Sequence, residues 1–397
     1  MKILTINCGS SSVKYQVFEI GNGNELLAKG MADRIGLAGS RIYHKSVGRG
    51  EKELEIRLAD HGAALAKIYS VLEQDGCGVV SHEIQAVGHR VVHGGRQFTG
   101  PVLIDEKVID AIRDNAKLAP LHNPVSIVAI ETCQKLLPGI ANVAVFDTAV
   151  HQTMPPKSYL YGLPIGLYAN HDIRKYGFQG ISHGYVAGEA ARILNKPLDK
   201  LKIITCHLGN GSSITAFKEG KSVDTSMGMT PLEGVMMSTR SGDIDPAIVP
   251  YLIEVLGLSV REVTDLLNKE SGLKGLCGKS DVRDIVKLAD NGDQKAQTAI
   301  DVFVYRIQKY IGAYAAAMNG VDVIVFTAGI GENSAYLRAR ILANFGYLGF
   351  RLDKADNERN RTVFSAQDSK VRAMTIPTNE ELIIAQETYK AVTRGTR

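Results

Sequence analysis

The chain has 397 residues, 45% of them hydrophobic and 22% charged, a balance that excludes disorder and leaves room for two domains with apolar cores. A formal charge of +4 with acidic and basic residues interspersed excludes a nucleic-acid stripe or a polybasic membrane patch, and favours anionic ligands only mildly. No apolar run approaches the ~20 residues of a membrane span, the opening MKILTI is too short for a secretion signal, and five scattered cysteines (Cys8, Cys77, Cys133, Cys206, Cys277) form no C-x-x-C pair, so reduced thiols and a cytoplasmic location are expected.

Ile3 to Phe18, ILTINCGSSSVKYQVF, reads as an apolar strand, a turn opened by Gly9, a run of hydroxyl residues and a second strand. Ile56 to Ser81 reads as a helix and loop, and Ile84 to Val92 as a strand that ends near Arg90, beside His93 and the Gly94-Gly95 pair. An arginine there presents a planar fork to a carboxylate or phosphate, or sits in a surface salt bridge. Ala119 to Pro124 opens a helix from Val125 to Leu136, which puts His122 near a helix N-terminus, where anions are favoured. The apolar strand Val143 to Phe146 delivers Asp147 at its carboxyl end, where open α/β sheets keep working groups, although Asp is also a common helix cap.

Between His151 and Gly180 the chain is rich in Pro, Gly and Tyr and reads as a crossover, followed by a helix from Tyr185 to Leu194. Ile203 to Phe217, IITCHLGNGSSITAF, then repeats the layout of the first hairpin: Ile203, Ile204 and Thr205 parallel Ile3, Leu4 and Thr5, and Gly209 parallels Gly9. Gly209 and Gly211 permit φ > 0 and leave no Cβ in the way, so backbone N–H groups can converge on a phosphate; an ordinary hairpin connection has the same composition. Two such units about half the chain apart predict duplicated domains facing each other across a nucleotide cleft.

Thr225 to Asp245 reads as a long irregular loop, expected to be functional, with Arg240 inside it. Gly272 to Ser280 fails the G-x-x-x-x-G-K-S/T pattern at Leu273 and follows a helical stretch, which excludes a phosphate-binding loop of that type. Asp281 and Arg283 offer an acid and a base to a nucleoside, or a capped helix start. Ile300, Phe303, Val304, Ile307, Ile311 and Ala315 share a helical face closed by Asn319-Gly320. Val321 to Phe326 is an apolar strand running into a Gly329-Ile330-Gly331-Glu332-Asn333 turn and a helix from Ser334 to Asn344, a nucleotide-site order without the third glycine of the dinucleotide fingerprint. Glu380 leads a final helix, where its carboxylate reaches a magnesium ion or favours the helix N-terminus. The histidines form no H-x-H or H-E-x-x-H pair, which argues against zinc.

The run INCGSSSVK, AVGHRVVHGG, PLHNP, VFDTAVH, HLGNGSS, TRSGDIDP, AGIGENS and PTNEE resembles, in order and across essentially the whole chain, the signatures of the acetate kinase family. That family belongs to the sugar kinase, Hsp70 and actin superfamily. The resemblance implies an α/β protein of two ribonuclease H-like (actin-like ATPase) domains, spanning 1–150 and 151–379, with the helix 380–397 completing the first. It implies a homodimer and direct in-line transfer from ATP to acetate, giving ADP and acetyl phosphate, with magnesium or manganese. Carried over by position, Asn7 and Glu380 hold the metal, and Lys14 with the turn His207, Leu208, Gly209, Asn210 and Gly211 meets the phosphates. Asp281, Val282 and Arg283, with Gly329, Ile330, Gly331, Glu332 and Asn333, frame the nucleoside. Arg90 binds the carboxylate, Asp147 orients reactants or metal, Arg240 stabilises the transferring phosphoryl, His122 contributes nearby, and Val92, Leu121, Phe178 and Pro231 form the methyl pocket.

One position departs from the family: Gln179 stands where histidine is usual, and a glutamine amide donates a hydrogen bond but carries no charge. His183 swinging in is the other source of such a donor. A propionate kinase shares nearly all these motifs, and a non-catalytic ATP clamp of the same superfamily is the rival from another class.

Overall fold

The computed structural model describes residues 1–21, 23–75, 83–119 and 122–395. Leu121, one of the four methyl-pocket residues, and Cys77 lie outside the described residues. The chain divides into two compact units, one of residues 1–150 joined by the segment from Asn379, the other of His151–Thr378.

In the first unit the strands are β1 (Lys2–Cys8), β2 (Ser12–Gly21), β3 (Gly23–Asp33), β4 (Arg41–Ser46), β5 (Gly50–Glu55), β6 (Ala86–Val91), β7 (Val102–Leu103) and β8 (Ala141–Phe146). They form one sheet in the order β5-β4-β3-β2-β1-β6-β8-β7, parallel from β1 through β6 to β8. Alternation along β1 sends Leu4 and Ile6 into a core with Leu65 and Ile68 of the helix His61–Asp75 and Ala129 of the helix Asn123–Leu136. Ile3 faces the other way, with Ala86 and with Ala385 of the helix Glu380–Gly395. That last helix lies hard against β6, since a Cβ on Gly88 would come within 2.3 Å of Thr388 Oγ1.

The second unit holds β9 (Ile203–Leu208), β10 (Ser212–Lys218), β11 (Lys221–Thr225), β12 (Val323–Thr327) and β13 (Arg372–Thr375), ordered β11-β10-β9-β12-β13. Its antiparallel meander continued by two parallel strands repeats β3-β2-β1-β6-β8 strand for strand. Ile204, Cys206, Ile214 and Ala216 pack into one core with Phe303, Ile307 and Ile311 of the helix Gln294–Met318. The helix Gly180–Ile193 covers β9 as well, so β9 is buried throughout.

Several elements differ from the sequence expectation. The helix expected from Tyr185 begins at Gly180, because Gln179 takes a left-handed conformation (φ 56°) that turns the chain into it. The helix after His122 starts at Asn123, with Pro124 in its first turn, where a missing N–H costs nothing. The crossover contains the short helices Pro156–Tyr159 and Ile165–His171. Ala328–Asn333 is a helical turn rather than an open glycine turn, and the positive φ falls on Ala328 (64°) and not on Gly329 or Gly331. Among the described residues no helix is long and apolar enough to cross a membrane.

Candidate active site

In the first unit, β6 and β8 run side by side and carry Arg90 and, one residue past the strand end, Asp147. Arg90 donates to Asp147 through Nε at 3.1 Å and Nη2 at 2.5 Å, and through Nη1 to Asn7 Oδ1 on β1 at 3.1 Å. Asn7 in turn donates to Glu381 at 3.4 Å, and Glu380 lies within electrostatic reach of Arg90, Asp147, Glu381 and Lys14. Burial opposes the Arg90 charge, but Asp147 and Glu380 outweigh it and raise its pKa, so the fork stays protonated. Burial also raises the Glu380 pKa, and the neighbouring Asp147 and Glu381 carboxylates add to the rise. Three carboxylates thus face one arginine and one lysine, a local shortage of positive charge.

Asn7 pairs across the hairpin with Lys14, whose side chain is exposed on β2. Val92, two residues after Arg90 and just past the end of β6, is buried. His122 occupies the N-cap position of its helix without a side-chain cap bond, its carbonyl accepting from Ser126.

In the second unit, His207 and Leu208 end β9 and the turn Gly209-Asn210-Gly211 leads into β10. Neither glycine uses the positive φ that its lack of a side chain permits. Their role is close approach instead: a Cβ on Gly211 would lie 3.4 Å from Arg240 Nη1 and 3.5 Å from Gln179 Nε2, and one on Gly209 3.4 Å from Gly211 O. The Gly209 N–H is spent on Gly211 O at 3.2 Å, so the turn closes on itself. Two side-chain donors therefore flank Gly211 where a wider nest of backbone N–H groups was expected.

His207 is aimed by hydroxyls. Thr378 donates to Ser182 at 2.8 Å, and Ser182 stands 2.8 Å from His207 Nδ1. His183 is fully buried, with Nδ1 2.6 Å from Thr205 Oγ1 and Nε2 2.6 Å from Ser213 Oγ. Both nitrogens are held inside the unit, which counts against the alternative that His183 swings toward the reaction.

The irregular stretch after β11 brings Pro231 and Arg240 to the same turn. Arg240 Nη1 donates to Pro231 O at 3.2 Å, the Ser238 N–H donates to Asn210 O at 3.3 Å, and burial lowers the Arg240 pKa. Among the described residues Arg240 has no carboxylate partner. Phe178 is buried, and its carbonyl accepts from His151 Nε2 at 3.1 Å. Sequence reasoning missed what braces this loop. Tyr161 donates to Glu233, which also faces Lys175 at 3.7 Å, while Lys175 meets Asp224 at 3.4 Å. The Tyr161–Glu233 pair closes over Gly228, where a Cβ would come within 1.7 Å of Glu233 Oε2. Only that glycine hints at it, because the partners lie far apart in sequence.

Of the nucleoside candidates, Asp281 caps its helix through the Arg283 N–H and also accepts from the Arg283 side chain at 2.6 Å, which holds its pKa at about 2. Val282 is buried. The helical turn Gly329-Ile330-Gly331-Glu332-Asn333 follows β12 directly. Glu332 is turned inward to accept from the N–H groups of Ala328 and Thr378 at 2.8 and 3.2 Å. Arg338, wholly buried, clamps the same turn by donating to the carbonyls of Gly331 and Glu332 at 2.9 and 2.8 Å. No pattern marks an arginine as a core residue, so this brace was invisible in the sequence.

Two units that repeat one meander with two added parallel strands, each opening on a glycine-and-hydroxyl hairpin, make this an actin-like ATPase fold. The chain belongs to the acetokinase family, which it matches over residues 2–386, and is a phosphotransferase. It is 53% identical, over 99% of both chains, to the acetate kinase of Carboxydothermus hydrogenoformans, and 52% identical over 99% of both to that of Thermotoga maritima. Among solved structures it is similar to the acetate kinase of Porphyromonas gingivalis (TM-score 0.92, 45% identity, 98% of this chain and 99% of that one). It is also similar to a propionate kinase from Francisella tularensis (TM-score 0.93, 43% identity, 98% and 99%).

Proposed function

We propose that the chain transfers the γ-phosphoryl group of ATP reversibly to acetate, forming acetyl phosphate and ADP by direct in-line displacement. Both reactants are anions, so the protein must offset like charges while holding the attacking oxygen in line. The observation that carries the reading is Arg240, a partly buried guanidinium beside the Gly209–Gly211 turn that meets no carboxylate among the described residues. Such a charge is kept for an incoming anion.

In this reading Arg240 and Gln179 donate to the transferring phosphoryl, and His207 with Lys14 and the glycine turn meets the remaining phosphates. Arg90 binds the acid's carboxylate and Asp147 keeps that arginine oriented, with His122 nearby. Val92, Phe178 and Pro231, with Leu121, surround the methyl group. Asp281 to Arg283 and Gly329 to Asn333 frame the nucleoside. Asn7, Asp147, Glu380 and Glu381 are hard oxygen donors short of positive charge, which suits magnesium or manganese. Among the described residues no three His, Cys, Asp or Glu side chains are grouped to hold a metal unaided, so nucleotide phosphates would complete its coordination. A divalent ion held by Asn7 and Glu380 would supply charge neutralisation. The reading also takes the chain to work as a homodimer in the cytoplasm.

The likeness to the Francisella propionate kinase supports a second reading, in which propionate is the preferred acid. One methylene is worth about 1–3 kcal/mol of discrimination, so a few pocket side chains decide it. A hydroxamate assay of acyl phosphate with acetate, propionate and butyrate tests both. Higher kcat/KM for acetate supports the first reading, higher kcat/KM for propionate the second, and no acyl phosphate with any acid overturns both.

A further inference from the structure

Gln179 is held in a left-handed backbone conformation at the mouth of a helix, and its amide sits at the end of a polar chain that runs through the middle of the second unit. The chain is Thr205 Oγ1, His183 Nδ1 and Nε2, Ser213 Oγ and Gln179 Oε1, with successive distances of 2.6, 2.6 and 2.5 Å. Beyond it, Gln179 Nε2 faces Gly211 O at 3.4 Å. Thr205, His183 and Ser213 are all wholly buried, so no water competes for their protons.

Donor counting gives this chain one direction. Gly211 O only accepts, so the end of the amide toward it is the NH2 group. Oε1 then needs a proton from Ser213, which obliges Ser213 to accept from His183 Nε2–H. Burial, together with the nearby rings of His151 and His207, pushes the His183 pKa well below its ordinary value, so the ring is neutral and Nδ1 accepts from Thr205. The reverse direction sets Oε1 against Gly211 O, acceptor facing acceptor. It also sends the Thr205 proton to Thr215 O, 3.5 Å away, at the limit of a hydrogen bond.

We infer that Ser213 and His183 are positioning residues for Gln179, fixing through this one-way relay which end of its amide faces the glycine turn. The amide NH2 and the Arg240 guanidinium then flank the same point above Gly211, and a neutral glutamine delivers a donor there where the family's usual histidine has a ring N–H. The contact of that donor with a phosphoryl oxygen rests on the proposed phosphotransfer; the relay itself does not.

The test uses the full-length protein labelled with [15N]histidine, with His183 assigned by comparison with His183→Gln. Between pH 6 and 8 His183 should be neutral and protonated at Nε2; an Nδ1–H ring overturns the relay. In steady-state assays with acetate and ATP, Ser213→Ala should lower kcat about tenfold, with both KM values changed less than twofold, as expected when one donor is misdirected. In a Gln179→Ala background the same change should alter kcat less than twofold. A tenfold loss that persists there means Ser213 acts elsewhere, and the inference falls. If the unaltered protein makes no acyl phosphate, the proposed function fails while the tautomer still decides the relay.

Discussion

The two hairpin turns, Cys8 to Ser12 and Leu208 to Ser212, share a layout and an exposure pattern up to their last residue, half-buried at Ser12 and buried at Ser212, yet they are supported differently. In the first, β2 alternates between core and solvent, and Lys14 stands on its wet face. In the second, β9 and nearly all of β10 are buried, so the side chains behind the turn (Thr205, His207, Ser213) must find partners inside the protein. The arginines differ in the same sense. Arg90 is locked to Asp147, whereas Arg240, among the described residues, is held by a carbonyl and the Met237 sulfur. Duplication supplied one scaffold twice; one copy became a carboxylate-rich cradle and the other an array of hydroxyl, amide and imidazole groups around a guanidinium with no carboxylate partner among the described residues.

The sharpest way to break this contrast is to remove each arginine in turn. Arg240→Ala should cost about 10³-fold or more in kcat, the range of arginines that stabilise phosphoryl transfer, with little change in urea unfolding. Arg90→Ala should abolish measurable turnover and also destabilise the protein by about 3–5 kcal/mol, because Asp147 is left buried without its partner. Equal losses of stability in the two variants would erase the distinction.

A smaller effect is expected from Glu380→Gln. A carboxyl whose pKa is raised on folding contributes stability that is present below its unfolded pKa and lost as pH rises through the folded value. The variant should therefore match or exceed the parent's thermal midpoint at pH 7 without metal, and its advantage should shrink toward pH 5. Its magnesium requirement should rise on the order of ten- to a hundredfold. A lower midpoint at pH 7 would show that the carboxylate is adequately paired as it stands. Smallest is Arg283→Ala, which removes an exposed side chain paired with its own helix cap. The thermal midpoint should hold, and the KM for ATP should rise no more than about fivefold, within the worth of a surface ion pair or a single weak contact; a larger rise would make Arg283 a principal nucleoside ligand.

What could be read from the sequence was whatever local chemistry dictates. β1, β9 and β12 were visible as apolar runs, and both turns as glycines followed by hydroxyls. The cap at Asn319 was equally plain. The family's motifs located Arg90, Asp147 and Arg240. What stayed hidden depends on distant partners: the left-handed Gln179, the Arg338 clamp on the turn after β12, and the Tyr161–Glu233–Lys175 brace over Gly228. Nothing beside these residues in the chain announces their roles, because each is set by segments that meet only after folding. Which of the two properties open to Gly209 and Gly211 is used, positive φ or the missing Cβ, was hidden for a related reason. A glycine kept for close approach looks identical in sequence to one kept for its backbone freedom.

The helix from Glu380 to Gly395 packs on β1, β2, β6 and β8 of the unit that opens the chain, and Gly88 is bare so that it fits. During synthesis the first sheet must therefore wait, one apolar flank uncovered, while the whole of His151–Thr378 emerges from the ribosome ahead of the piece that seals it. The second unit has all its parts earlier. The order in which the halves are translated is thus the reverse of the order in which they can mature, and the helix that closes the first sheet is made only after the second unit.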